Sequence, residues 1–352
     1  MVSKGRAALP VVCGIGLIIA ACTSAEPGAS PTSVASVAVA TPSPRPTPTP
    51  APTFRALNPS ATIKLSGPTS IAASHDSVWV TAFAGLARID VLTHGVTTIP
   101  YGSGAHRYGG VALTHGAAWV TDFSGNSVYR IDPETNTVVA TIPVGTWPEW
   151  IGAFQGDVWV ANHRSGTVTR IDAATNKVVA TIKVGPVDYG GPQGIAGGFG
   201  SVWVSVGNAG PNGTVVRIDP ATNSVLASIA MPDGAFPNGN ARFTEDRVWI
   251  PSGGVARAVT VIDPLTNQVV AKIDTGGFND SPAIVDGRPW VPVGPSSPRL
   301  VRIDPATNQI DRTLRLPDRA GPSVILVADE LWLLSAADGG SVIIIPVSEL
   351  AD

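Results

Sequence analysis

The chain predicts an all-β fold, a seven-bladed β-propeller of four-stranded antiparallel blades, and three observations carry that prediction. Seven tryptophans, Trp79, Trp119, Trp159, Trp203, Trp249, Trp290 and Trp332, recur with gaps of 40, 40, 44, 46, 41 and 42 residues. A fixed period in that range marks a repeat architecture. Each repeat holds four short segments rich in β-branched residues, separated by turn residues and without a helical period. The seventh repeat stops after its third strand, Ser341 to Ile345, while Ala61-Thr62-Ile63-Lys64-Leu65 near the N-terminus matches a fourth strand such as Ala180-Thr181-Ile182-Lys183-Val184. Seating that segment as the outer strand of the last blade closes the ring and removes exposed sheet edges.

Within a repeat, the first strand follows a Gly-Pro-like start, as at Gly67-Pro68, Trp147-Pro148 and Gly191-Pro192. The second carries the tryptophan between valines, as in Val158-Trp159-Val160. The third ends in Ile-Asp, and the fourth runs like Val178-Val179-Ala180-Thr181-Ile182. The turn between the third and fourth strands reads Asp132-Pro-Glu-Thr-Asn136, Asp219-Pro-Ala-Thr-Asn223, Asp263-Pro-Leu-Thr-Asn267 and Asp304-Pro-Ala-Thr-Asn308. Proline presets φ, the aspartate accepts local backbone N–H bonds, and asparagine tolerates the left-handed conformation. His94 takes the asparagine's place in the first repeat, a turn role open to histidine at positive φ. The tryptophans are expected to pack between blades. So are the stems of Arg88, Arg130, Arg170, Arg217 and Arg302, which all precede Ile-Asp, with their guanidinium groups meeting carboxylates or carbonyls.

The first 56 residues stand outside the fold. Lys4 and Arg6 precede an apolar stretch, Ala7 to Ala21, too short to span a bilayer of about 30 Å and reading as a signal peptide over residues 1–21. Residues 22–56 are dominated by Pro, Ser, Thr and Ala, an extended stalk that builds no core. The propeller is expected over residues 57–350. Cys13 leaves with the signal, so Cys22 is the one cysteine of the exported chain, which excludes an internal disulfide and a cysteine metal site. Loss of Lys4 and Arg6 leaves 21 basic against 26 acidic residues, a balance that argues against nonspecific nucleic-acid binding.

Ile19-Ala20-Ala21-Cys22 resembles a bacterial lipobox. That resemblance implies cleavage before Cys22, lipidation of its sulfur, and a location in the cell envelope on the extracytoplasmic side of a membrane. More than one acyl chain makes such anchoring stable. The repeats resemble those of the YVTN-repeat and streptogramin (virginiamycin B) lyase-like bacterial propellers; the sequence from Val158 to Gly185, VWVANHRSGTVTRIDAATNKVVATIKVG, carries the likeness. For the lyases, the resemblance implies carbon–oxygen bond cleavage by His and Glu residues near the propeller centre with magnesium. The functional histidines of that group come from later blades, whereas this chain has none after His163.

Departures from the repeat mark the candidate site. Strand order brings the fourth-to-first and second-to-third connections to one face, which gathers Trp147, Glu149 and Trp150 with Asn162, His163 and Arg164. Asp188, Tyr189 and Gln193 join them, with His106, Arg107, Tyr108, Asp122, Phe123, Asn208, Phe236, Asn238, Asn279 and Asp280 around the same mouth. Trp147 and Trp150 are the tryptophans outside the period, and they flank Glu149. An aromatic mouth with a few polar groups is what a ligand site requires. Glu149, His163 and His106 are the residues with acid–base chemistry, without a spacing rule that ties them together. His75 and His115 belong to turns on the opposite face. A binding module for a small molecule or a cell-envelope protein, acting as a monomer without cofactor or metal, is expected over an enzyme. A fatty-acid probe should label cells making the wild-type chain and not Cys22→Ala; equal labelling of both would remove the lipid anchor.

Overall fold

The computed structural model describes residues 54–102, 109–188, 190–207, 212–232, 234–253, 257–294, 297–317 and 320–351. The signal segment, Cys22 and the linker up to residue 53 lie outside these residues, as do His106, Arg107, Tyr108, Tyr189 and Asn208. Seven antiparallel sheets follow in chain order; each meets the next, and the seventh meets the first. The protein is a seven-bladed β-propeller. Blade 3 shows the unit plainly: Pro148–Phe154, Asp157–Asn162, Thr167–Asp172 and Lys177–Lys183, ordered from the axis outward. In the last sheet Ala61–Lys64 pairs with Ser341–Pro346, Ala61 opposite Ile344 and Lys64 opposite Ser341. Contacts begin slightly earlier than residue 57: the Leu57 amide donates to the Arg315 carbonyl (2.9 Å) and the Arg315 amide to that of Arg55 (2.8 Å).

Two blades depart from four unbroken strands. The inner strand of blade 5 is split into Phe236–Pro237 and Arg242–Phe243, and that of blade 6 into Phe278–Asn279 and Ala283–Val285. Gly239, at φ 82°, turns the chain out of the ladder in the first case. Pro282, without an N–H, interrupts it in the second.

The five arginines that precede Ile-Asp hold the ring together. Each stands directly opposite the tryptophan of its own blade: Trp79 with Arg88, Trp119 with Arg130, Trp159 with Arg170, Trp203 with Arg217 and Trp290 with Arg302. The guanidinium carbons lie 5.0–5.6 Å from the indole centroids, within cation–π range. In blades 1 to 4 the same group reaches into the Asp-to-Asn turn of the following blade. Arg88 donates to the Pro133 carbonyl, Arg130 to Ala173 O (3.3 Å), Arg170 to the Pro220 carbonyl and Arg217 to Pro264 O (2.6 Å). Each also reaches the turn asparagine, at 3.4 Å for Asn136, 2.9 Å for Asn176, 2.8 Å for Asn223 and 2.9 Å for Asn267. Those asparagines adopt φ of 54–59°, as the turn chemistry requires. Backbone N–H groups donated to Asp90, Asp172 and Asp263, and side-chain and backbone donors at Asp219, hold these carboxyls below the usual range.

The exceptions explain one another. Blade 5 has Val261 opposite Trp249, and the turn ahead of it keeps a buried Asn308 Oδ1 without a hydrogen-bond partner. Blade 7 has Ile344 opposite Trp332, and the turn ahead of it is the one with histidine. His94, at φ 58°, sets its ring edge-on to Trp332 at 5.7 Å, covering the indole that an arginine covers elsewhere. Replacing a charged donor of this kind costs about 1.5–3 kcal/mol. Arg170→Met, which keeps the stem over Trp159, should lower the urea midpoint accordingly. A double-mutant cycle with Asn223→Gly should return a coupling of about 1 kcal/mol, whereas additive effects would show that the bond between blades contributes nothing.

Candidate functional site

The Trp147 segment is positioned by three strands of backbone contact rather than by a regular element. Trp147 N donates to Asn126 Oδ1 (3.0 Å), its carbonyl accepts from His163 N (2.8 Å), and Thr146 O accepts from Arg164 N (3.2 Å). These bonds hold Trp147 at φ 56°, the conformation that Gly67 adopts (φ 55°) at the same place in blade 1. A left-handed non-glycine residue costs roughly 1–2 kcal/mol, and such strain clusters at functional sites. The indole sits among Phe123 (4.6 Å between centroids), His163 (6.3 Å, near-parallel) and the Arg164 guanidinium (4.0 Å). Trp147, Phe123 and Arg164 all remain partly exposed.

Beneath this cluster, a β-bulge leaves Glu149 unpaired between Pro148 and Trp150. An identical bulge frees Gln193 between Pro192 and Gly194 in blade 4. A bulge re-aims the extra side chain. Glu149 lines a cavity of about 60 Å³ near the axis with Trp150, Thr69, Ser70, Gly109 and Gly110. A Cβ on Gly110 would stand 3.0 Å from the Glu149 carbonyl, so glycine lets blades 2 and 3 approach here. Burial pushes the Glu149 carboxyl up to about 7. Its Oε2 lies 3.8 Å from His163 Nδ1, which is buried without a hydrogen-bond partner. Burial also holds the His163 imidazole below its ordinary value, against the pull of the Pro192 carbonyl.

The structure thus brings together Trp147, Glu149, Trp150, His163 and Arg164, and sets Gln193 one blade on. It turns Asn162 inward instead. That side chain is 0% exposed and donates to Thr167 Oγ1 (3.1 Å) and Thr169 Oγ1 (2.8 Å), which makes it scaffold beneath the site. Asp122 is likewise buried, accepting from Ser124 N (3.1 Å) and Gly125 N (2.8 Å). Among the described residues no group of three or more His, Cys, Asp or Glu side chains converges.

Two residues missed by motif reading emerge from alignment on the tryptophans. Four residues after each Trp stand Phe83, Phe123, His163, Gly207, Gly253, Gly294 and Ala336, so ring side chains crowd blades 1 to 3 alone. Phe83 is 45% exposed at that rim. Seven residues before each Trp stand Ala72, Ala112, Gly152, Ala196, Arg242, Ala283 and Ile325. Arg242 puts a guanidinium where five of the other six blades carry alanine or glycine, and burial lowers its pKa while the buried Asp280 opposes that shift.

No protein-family model and no curated protein matches the chain. Solved structures do. One from Kuenenia stuttgartiensis hydrazine synthase aligns with a TM-score of 0.66 at 17% identity, over 82% of this chain and 97% of that one. The β-propeller domain of Myceliophteria thermophila Cps50 (Swd1) gives 0.66 at 12% identity, over 82% and 99%. A chain of a mitotic checkpoint complex gives 0.69 at 13% identity, over 89% and 98%. The fold is WD40-like. At these identities the likeness extends to the fold alone, and the likeness to YVTN-repeat and streptogramin-lyase-like propellers rests on the repeat motif.

Glu149 sets the pH response of the site. A carboxyl whose folded pKa is raised from 4.5 to about 7 binds protons more tightly when folded, so stability falls as pH rises through that window and levels off above it. The full effect is of order 3 kcal/mol. His163 works in the opposite sense, since its lowered pKa removes stability as pH falls below 6.5. Glu149→Gln should therefore gain stability relative to wild type between pH 5 and pH 7.5, read by urea midpoints; parallel profiles would refute the buried carboxyl.

Proposed function

We propose that the protein is a lipid-anchored, extracytoplasmic binding module that holds a protein partner on the face around Trp147. The observation that carries this reading is the cluster at the rim of blades 2 and 3 in which Trp147 meets Phe123, His163 and the Arg164 guanidinium. Partly exposed aromatic rings backed by a stacked arginine are the residue types that dominate interface energetics. The strained backbone of Trp147, held by bonds from two neighbouring loops, presents that surface already ordered, which lowers the entropy cost of binding. Protein binding by WD40-like propellers found in complexes supports the same class of function. The Pro-rich linker places the face at a distance from the membrane in this reading, through Cys22.

A second reading, a carbon–oxygen lyase acting through Glu149 and His163, is favoured by one observation, the 3.8 Å approach of a raised carboxyl to an unpartnered imidazole nitrogen. The small cavity beside Glu149 argues the other way, since Thr69, Ser70, Gly109, Gly110 and Trp150 complete its wall and His163 does not, so the pair does not face one common cavity there.

The face is tested by a photo-crosslinking amino acid placed at Phe123 and, as a control, at Leu265, exposed on the opposite side in blade 5, in cells that make the protein. Discrete adducts at position 123, lost on Trp147→Ala, are expected. Identical adducts from both positions would overturn the assignment.

A further inference from the structure

A larger cavity opens at the opposite end of the ring, between blades 1 and 2. It measures about 630 Å³, with Ser74, Asp76 and Arg88 on one wall and Leu113, Ala117 and Glu134 on the other. The corresponding grooves are filled by phenylalanines between blades 3 and 4 and between blades 4 and 5, whereas a second cavity, of about 460 Å³, opens at blade 6 beside Val285, Trp290 and Arg302. Five residues before its tryptophan, blade 3 carries Phe154, whose ring would lie 2.0 Å from a Cβ at Gly197 and so fills the groove toward blade 4. Between blades 4 and 5 the rings of Phe199 and Phe243 meet edge-on at 5.9 Å. Blade 1 has Ser74 where blade 3 has Phe154, and the groove stays open.

The charges at its mouth are specific to this groove as well. Glu134 occupies the third position of its turn, where the other blades carry Leu92, Ala174, Ala221, Leu265 and Ala306. Arg88 is already engaged by the Pro133 carbonyl, by Ser77 Oγ (3.0 Å) and by Asp76 (3.7 Å). Glu134 has no ion pair among the described residues and is exposed. The open groove therefore combines an apolar wall, Leu113 and Ala117, with an acidic rim one negative charge in excess.

We propose that this groove receives an arginine or lysine side chain of a partner polypeptide. The aliphatic stem would lie against Leu113 and Ala117, and the cationic head would meet Glu134 at the rim, with Asp76 adding to the field. Long basic side chains bury their stems on apolar surface and keep the head at a polar edge. The docking is independent of the Trp147 face, which lies at the other end of the blades.

The test uses the full chain in non-ionic detergent and fluorescein-labelled Ala-Leu-Arg-Ala-Ala, read by anisotropy. The same peptide with citrulline in place of arginine is the neutral control. Wild type should prefer the arginine peptide by roughly tenfold, the scale of one charge-assisted contact. Glu134→Gln should collapse that preference, and Ser74→Phe should abolish binding by supplying the missing plug. No measurable binding of the arginine peptide overturns the proposal, as does equal binding of the citrulline peptide or affinity unchanged in Glu134→Gln. Because Glu134 is exposed, its variant remains informative even if Ser74→Phe disturbs folding.

Discussion

The ring depends on a guanidinium that serves two blades at once. Arg88, Arg130, Arg170 and Arg217 each lie over the tryptophan of their own blade and donate to the turn of the next. Indole burial alone is non-directional and would let neighbouring sheets slide. A charged donor aimed at a particular carbonyl and asparagine fixes their relative height. The turn's own chemistry is part of the same device: asparagine at positive φ turns its Oδ1 toward the arginine, and the aspartate that precedes it organises the loop. The ring is held by this repeated contact and by its packed core.

The blades that lack the arginine show what it contributes. Where Val261 replaces it, Asn308 keeps a buried oxygen without a partner. Where Ile344 replaces it, His94 has moved in from the adjoining turn to cover Trp332. Two sequence anomalies 250 residues apart, Ile344 in the arginine slot and His94 in an asparagine slot, are thus one contact at the seam between the last blade and the first.

Seven near-identical blades build a symmetric scaffold, and every functional feature is a breach of that symmetry. Phe83 and Phe123 stand where blades 4 to 6 have Gly207, Gly253 and Gly294, and Trp147 packs against Phe123. At the other end, the groove with Ser74 and Glu134 stays open while phenylalanines close those between blades 3 and 4 and between blades 4 and 5. A propeller tolerates such local change because each blade packs against only its two neighbours.

The sequence by itself determined the number of blades, the strand sequence within each, and the turn conformation, because these follow from local chemistry and a period that repeats. Asn136 and its equivalents, and His94, could be placed at positive φ from residue type and position alone. The same reading gathered Trp147, Glu149 and His163 on one face. It could not place Asn162 inside, because a polar residue at a strand end looks alike whether its amide meets solvent or the hydroxyls of Thr167 and Thr169. Nor did it mark Arg242 or the open groove, which become visible only when positions seven and five residues before each tryptophan are compared in space. Which carbonyl of the next turn an arginine reaches and which groove a phenylalanine fills are contacts between blades about forty residues apart in sequence. Only the tertiary structure decided these, since they depend on how adjacent sheets face one another and not on any residue's own preference.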